Sequence, residues 1–301
     1  MCGIAGIYSK NRATAERVGE SIALMMHELG DRGPDSAGIA LYREPVPEGD
    51  SKVSLYSADP GVDWRLVVDE LGVAFDGPVA HSVRASHATF HVPAEAAAVT
   101  EWLALNRPEL RLMSAGRSIE IYKEKGHPDE FVRRFALSEL SASHAIAHTR
   151  MATESRVTTE HSHPFSTGLD LCLVHNGSLS NHNTLRRKLR REGVTFQTDN
   201  DSEVAAGYLM WRMREGAGLE EALSGCLEDL DGFYTFAVGT ADGFAVLRDP
   251  IACKPAVMAE TDDWVAIATE YRAIAVIPGA EDAVVWEPEP ARVYTWERVA
   301  A

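Results

Sequence analysis

The sequence predicts an α+β protein built on antiparallel sheets. Three features of the 301 residues carry that expectation. Apolar, β-prone runs lie close together toward both ends of the chain, segments of helical spacing come in groups, and the strict strand-helix-strand alternation that builds parallel sheets does not occur. In chain order, CGIAGIY at 2–8 is small and β-prone, a buried strand beginning almost at the first residue. Residues 14–29 place Val18, Ile22, Met25 and Met26 at helical spacing, which predicts an amphipathic helix. RGPDSAG at 32–38 is dense in turn residues and leads into the strand IALYR. From about 45 to 142 the elements shorten: a strand VSLYS, a helix WRLVVDEL, a strand over 79–92, a helix AEAAAVTEWLAL, strands within LRLMSAGRSIEIYKE and a helix PDEFVRRFAL. AIAHTR and LCLVHNG then return as apolar strands with polar C-terminal edges. Helices are expected over 183–192, 201–214 and 219–230, followed by the strands FYTFAVG, FAVLRD, PAVMAE, WVAIATE and those of VVWEPEPARVYTWE. There is no internal repeat and no low-complexity linker.

Composition excludes several classes. With 45% hydrophobic residues the chain can bury a large core, so a disordered protein is excluded. With 45 acidic against 29 basic side chains the net charge is −16, and residues 196–301 hold 20 acidic against 7 basic. Like charge repels phosphate backbones and anionic lipid, so neither nucleic acid nor a membrane is expected as a partner. No apolar run approaches the roughly 18 residues that a spanning helix needs. The opening MCGIAGIYSK puts its positive charge after the apolar residues, unlike a signal peptide. Four scattered cysteines, Cys2, Cys172, Cys226 and Cys253, suit a reducing compartment, so a cytoplasmic protein is expected.

Cys2 is the first candidate for chemistry because of its position. Removal of Met1 would give it a free α-amine beside its own thiol. An α-amine with its ordinary pKa of about 7.7–8.0 can accept the thiol proton near neutral pH, directly or through water. Nucleophile and base would then come from one residue. From position alone, Cys2 reads more simply as a small second residue.

The remaining motifs narrow that choice. MCGIAG, RGPDSAG, HTRMAT at 148–153, SHPF at 162–165, LVHNG at 173–177 and TDNDSEVAAGYL at 198–209 occur in one order. Together they resemble the class II glutamine amidotransferases of the N-terminal nucleophile hydrolase superfamily. The resemblance covers about 2–44 and 143–275. It implies a four-layer αββα sandwich with two antiparallel sheets, and hydrolysis of the glutamine side-chain amide through an N-terminal cysteine thioester. Residue by residue, it implies that Cys2 is nucleophile and, through its amine, base, while the Asn176 side chain and Gly177 N–H form the oxyanion hole. Arg150 would hold the substrate α-carboxylate, a task suited to a planar donor that keeps its charge, with Thr153 nearby. Asp201 would take the α-ammonium, Asp199 being the neighbour most easily confused with it. Arg32 and Gly33 would belong to a loop folding over the nucleophile. Each has a plainer alternative: Asn-Gly is a common hairpin turn, Arg150 a strand-end surface residue, Asp201 a helix N-cap. Met151 and Glu154 depart from the family, in which some members carry an aromatic residue and a histidine at those places.

Other signals carry less. His81, His87 and His91, like His161 and His163, lack the convergent donor pattern of a zinc site and read as solvated or packed histidines. LRRKLRRE at 185–192 reads as a solvated basic helix face. Cys172, Cys226 and Cys253 read as core residues. No SGGxDS, phosphoribosyltransferase or GxxxxGK[ST] loop is present. TRMATE and FQTDNDSEVAAGYL resemble the stand-alone amidotransferase subunits of glutamate synthase-like and N-methylglutamate synthase systems. That resemblance implies L-glutamine as substrate, no cofactor in this chain, and a hetero-oligomer with a synthase-domain flavoprotein subunit that supplies FMN. A free-standing γ-glutamyl hydrolase and a noncatalytic assembly subunit are the alternatives. The whole chain is expected to be one amidotransferase domain, interrupted by a lobe at about 45–142 beside the active-site mouth.

Overall fold

A computed structural model describes residues 2–152 and 157–297. Met1, Thr153 and Glu154, all named above, lie outside the described residues. Among the described residues the strands form three sheets. The first has seven strands in the order β15 (Val284–Trp286), β13 (Val257–Glu260), β14 (Trp264–Ala268), β1 (Gly3–Ser9), β8 (His144–Arg150), β2 (Ser36–Tyr42) and β7 (Ile119–Lys125). The second has five: β16 (Val293–Glu297), β12 (Gly243–Arg248), β11 (Gly232–Gly239), β10 (Leu171–Leu179) and β9 (Phe165–Gly168). The third has four: β4 (Ala80–Arg84), β5 (His87–Val92), β3 (Ser51–Tyr56) and β6 (Arg111–Gly116). All named strand pairs are antiparallel.

The two larger sheets pack face to face, and their central strands carry buried apolar side chains on both faces. Ile4, Tyr8, Tyr42, Ile146, Val174 and Phe244 fill the space between them. On the outer face of the first sheet, Ala5, Ile7, Ile39 and Ala147 meet α2 (Val18–Glu28), α5 (Pro128–Arg134) and α9 (Tyr271–Ala275). On the outer face of the second, Leu173, Phe236 and Leu247 meet α6 (His182–Arg191), α7 (Asp201–Arg214) and α8 (Leu219–Asp229). This is the expected αββα sandwich.

Several expected elements differ. The helix over 14–29 is two pieces, α1 (Arg12–Ala15), capped by the Asn11 side chain on Thr14 N, and α2. The strand over 79–92 is the hairpin β4–β5, turned at Ala85 with φ +50°, a turn for which the residue type gives no signal. Cys172 and Cys226 are buried, but Cys253 is exposed, so it is not a core residue.

The inserted lobe is shorter than 45–142. Its own unit is the four-stranded sheet with α3 (Trp64–Ala74) and α4 (Ala96–Asn106), around Val53, Leu71, Phe90 and Val99. After β6 the chain re-enters the first sheet: β7 pairs along all of β2, and Phe131 of α5 packs in the same core as Ile22. At the re-entry, the Asp170 carboxylate accepts hydrogen bonds from Arg117 N, Ser118 N, Ser118 Oγ and Ile119 N at 2.7–3.0 Å. The lobe leaves and rejoins the sheet at Tyr42 and Ile119, whereas the opposite end of β2, Ser36, pairs with Arg150. Its attachment is therefore roughly 20 Å of strand away from the Cys2 end.

Candidate active site

The N-terminal end of β1, the C-terminal end of β8 and the later residues of β10 converge. Gly3 pairs with Thr149, which places Cys2 beside Arg150, and alternation along the strands turns Cys2, Arg150 and Asn176 to the space between the sheets. The strand is pinned at its start: Ile4 N donates to Thr269 Oγ1 at 2.8 Å and Thr269 N to Ile4 O at 2.9 Å. The Cys2 thiol, half-buried, donates to Met151 O at 3.7 Å. The Cys2 carbonyl accepts from Asn176 Nδ2 at 3.3 Å and from Arg32 Nε at 2.8 Å. Two expected residues thus meet the expected nucleophile directly.

Asn176 and Gly177 lie inside β10, opposite Thr235 and Tyr234, so Asn-Gly is not a hairpin turn here. Gly177 has φ +156°, and a Cβ there would stand 2.0 Å from Phe233 O. Glycine is required on both counts.

The RGPDSAG segment packs on the end of β8. A Cβ on Gly33 would stand 2.3–2.5 Å from the backbone of Thr149 and Arg150, so only glycine lets the two segments approach this closely. Asp35 N donates to Arg150 O at 3.0 Å, and Ala152 N donates to Asp35 Oδ2 at 2.7 Å. Arg32 also pairs with Glu270, which pairs with Arg272 at 2.7 Å. Asp35 and Glu270 were not singled out in the sequence. Asp35 stands within a motif that signals its neighbourhood, whereas Glu270 is 238 residues from Arg32 and gives no local signal.

Arg150 is buried and its Nη1 donates to His161 O at 3.0 Å, which excludes a surface role. Asp201 is the first residue of α7; the helix cap is Asn200, whose side chain accepts from Ser202 N. Asp201 Oδ2 accepts from Leu179 N at 2.9 Å, tying α7 to the end of β10. Its side chain is 23% exposed and lies 3.9 Å from His175 Nδ1. The Asp199 side chain is 90% exposed and pairs with His161, so the two aspartates are well separated in character.

The loop before α7 is held by residues outside the motif roles. The Glu203 carboxylate accepts from Gln197 N, Thr198 N and Thr198 Oγ1 at 2.7–2.8 Å. Arg186 donates to Thr198 O and, at 2.9 Å, to Asn200 O. Arg186 is buried, so the basic run of α6 is not wholly a solvated face.

Beneath the site lie three buried histidines. His148 Nε2 pairs with His175 O at 3.1 Å, the His148 and His163 rings are 4.0 Å apart, and His175 Nδ1 pairs with Ser202 Oγ at 2.9 Å. Burial pushes His148 down to about 3, His163 well below its ordinary range, and lowers His175. At neutral pH they are uncharged packing groups. Among the described residues no cluster of His, Cys, Asp or Glu could hold a metal ion, and no helix is long and apolar enough to cross a membrane. A cavity of about 940 Å³ lined by Tyr8, Lys10 and Trp296 opens at the other end of β1, away from the thiol.

A family profile described as "Glutamine amidotransferase domain" matches residues 148–276. The chain is 52% identical over 302 residues to the "Glutamine amidotransferase-like protein GlxB" of Rhizobium meliloti (strain 1021), covering 100% of both. It is 31% identical over 307 residues to a "Putative glutamine amidotransferase" of Methanothermobacter thermautotrophicus, covering 98% of this chain and 99% of that one. Among solved structures, it resembles a glutamine phosphoribosylpyrophosphate amidotransferase from B. subtilis with a TM-score of 0.63 at 22% identity. That alignment takes in 98% of this chain and 47% of that chain, so this chain spans about half of the solved one.

Proposed function

The chain belongs to the class II glutamine amidotransferases, and from that premise we propose that it hydrolyses L-glutamine with Cys2 as N-terminal nucleophile. The observation that carries this reading is the meeting of Cys2 and Asn176 between the sheets, with Arg150 on the neighbouring strand. Once Met1 is removed, the α-amine of Cys2 takes the thiol proton and Sγ attacks the side-chain carbonyl carbon of glutamine. The carbonyl electrons move to oxygen, where Asn176 Nδ2 and Gly177 N–H stabilise the tetrahedral oxyanion. Donors of this kind are each worth about 10²–10³ in rate. Collapse breaks the C–N bond, the α-ammonium returns its proton to the leaving nitrogen, and ammonia departs from a γ-glutamyl thioester. Water, giving a proton to the same amine, adds to the thioester, and collapse of that adduct releases glutamate and restores the thiol. Arg150 grips the α-carboxylate bidentately, with Thr153 beside it, and Asp201 receives the α-ammonium. Arg32 and Gly33 hold the loop that packs over Cys2.

Ammonia then passes to a separate synthase-like flavoprotein subunit that carries FMN, in a glutamate synthase-like or N-methylglutamate synthase system. What supports this finer reading is the texture of TRMATE and FQTDNDSEVAAGYL. The purified chain is expected to release glutamate and ammonia from glutamine, and Cys2→Ala to abolish both. Unchanged activity in Cys2→Ala sinks the nucleophile. Affinity purification from the native host is expected to bring down a yellow FMN protein, and a chain recovered alone and fully active counts against the subunit reading.

A further inference from the structure

Lys123 of β7 is 5% exposed, and the reaction above gives it no part. Its ammonium is met by backbone carbonyls: Nζ donates to Glu160 O at 3.3 Å, Ser162 O at 2.9 Å and Pro164 O at 3.2 Å, and stands 4.7 Å from the centroid of the Phe165 ring. These acceptors alternate along one turn, so a single buried cation closes the turn from its concave side. Burial pulls Lys123 down to about 8, while Glu203 on α7 and Glu160 on the turn hold it up. It is therefore mostly charged at neutral pH, and its hydrogen bonds are charge-assisted.

The closed turn reaches the site at two points. The carbonyl of His161 accepts from Arg150 Nη1 at 3.0 Å, and the His163 ring lies 4.0 Å from that of His148. The turn also crosses the sheet where no side chain intervenes: a Cβ on Gly38, the strand partner of Lys123, would stand 2.0 Å from His163 O. Lys123 and Arg150 thus belong to the two strands flanking β2, and the turn spans the distance between them.

We propose that Lys123 is a positioning residue for recognition of the glutamine α-carboxylate: it fixes the 160–164 turn, whose His161 carbonyl orients the Arg150 guanidinium. This rests on the reading of Arg150 as the carboxylate grip. A lysine acting through Arg150 affects binding of substrates that carry the carboxylate and spares those that lack it.

The test uses the full chain and two substrates, L-glutamine and L-glutamine α-amide, in which the carboxylate is replaced by a neutral amide. Lys123→Met is expected to raise KM for glutamine about tenfold while kcat and the KM for the α-amide stay within about twofold. In an Arg150→Lys background the same substitution is expected to add less than about twofold, because both act on one interaction. Lys123→Gln, which keeps two donors without the charge, is expected to give a smaller KM rise and serves if the methionine variant folds poorly. Equal KM rises for both substrates, a fall in kcat alone, or no change overturns the proposal. If Arg150→Lys itself fails to separate the two substrates, the carboxylate reading of Arg150 falls, and the proposal with it.

Discussion

Replacing Gly177 by alanine places a methyl group where the sheet has no room for one. The new Cβ would stand 2.0 Å from Phe233 O, 2.7 Å from His175 Nε2 and 2.8 Å from Tyr234 Cα. A carbon and a carbonyl oxygen ordinarily come no closer than about 3.3 Å, so one strand must shift by about an ångström. Phe233 O is backbone in a ladder that runs from Cys172 to Leu179, so it cannot swing away as a side chain would. The φ of +156° adds strain for any residue with a Cβ. Overpacking of this kind costs about 1–3 kcal/mol of stability, which for a chain of this size lowers the melting temperature by about 2–4 °C per kcal/mol. The strands open at Asn176 and Gly177, so the proposed oxyanion donors are displaced as well. The expected result is a kcat for glutamine hydrolysis lower by about 10²–10³, equivalent to roughly 3–4 kcal/mol of transition-state stabilisation. KM is expected to change less than kcat, because Arg150 lies on another strand and Asp201 feels the shift only through its bond from Leu179 N. Steady-state kinetics and a thermal melt measure both effects. A lowered melt with wild-type kcat would refute the oxyanion assignment, and a wild-type melt would refute the steric argument.

Glu270→Gln removes the charge that pairs with Arg32, while Arg32 Nε still has Cys2 O at 2.8 Å. We expect kcat/KM to fall about tenfold, or ~1.4 kcal/mol, with little change in melting temperature; undiminished kcat/KM would remove Arg32 from the site's support. Asp201→Asn is expected to raise the KM for glutamine by more than about tenfold, whereas Asp199→Asn, at an exposed pair, should change it less than about twofold. A reversed order in titration calorimetry or kinetics exchanges the two roles. Acid stability follows from the buried histidines. His87 and His148 are held near 3, and His163 and His175 are lowered, all chiefly by burial. The unfolded chain takes up these protons near pH 6.5, so unfolding binds protons below that pH and stability is lost as pH falls from about 6.5 toward 3. Each histidine contributes up to about 1.4 kcal/mol per pH unit, and thermal melts should show a steep decline between pH 6 and 4. A flat profile over that range contradicts buried neutral imidazoles.

The sandwich was legible because its signals are local. The alternation of β1, β8 and β10 and the periods of α2 and α7 are written in consecutive residues, and the αββα layering followed from motifs in order. The placements of Cys2, Arg150 and Asn176 were legible for the same reason, each standing in a motif. What stayed hidden depends on contacts between distant residues. Glu270 is recognisable only once β14 brings it to Arg32, and Arg186 looks like its solvated neighbours until Thr198 folds over it. The lobe boundary has no local signal because β7 follows β6 across only Arg117 and Ser118, although β6 pairs with β3 and β7 with β2. The pairing changes at a turn held by Asp170, some 50 residues further on, which no local pattern announces.

The central claim is that the Cys2 sulfur becomes acylated by glutamine. Incubating the purified protein with a glutamine analogue that carries an electrophilic carbon in place of the side-chain amide, followed by peptide mapping by mass spectrometry, tests it most directly. The account predicts one adduct, on a peptide whose first residue is Cys2 with Met1 removed, and protection of that residue by excess L-glutamine. Modification of Cys253 alone, or an adduct on a peptide that retains Met1, would contradict it.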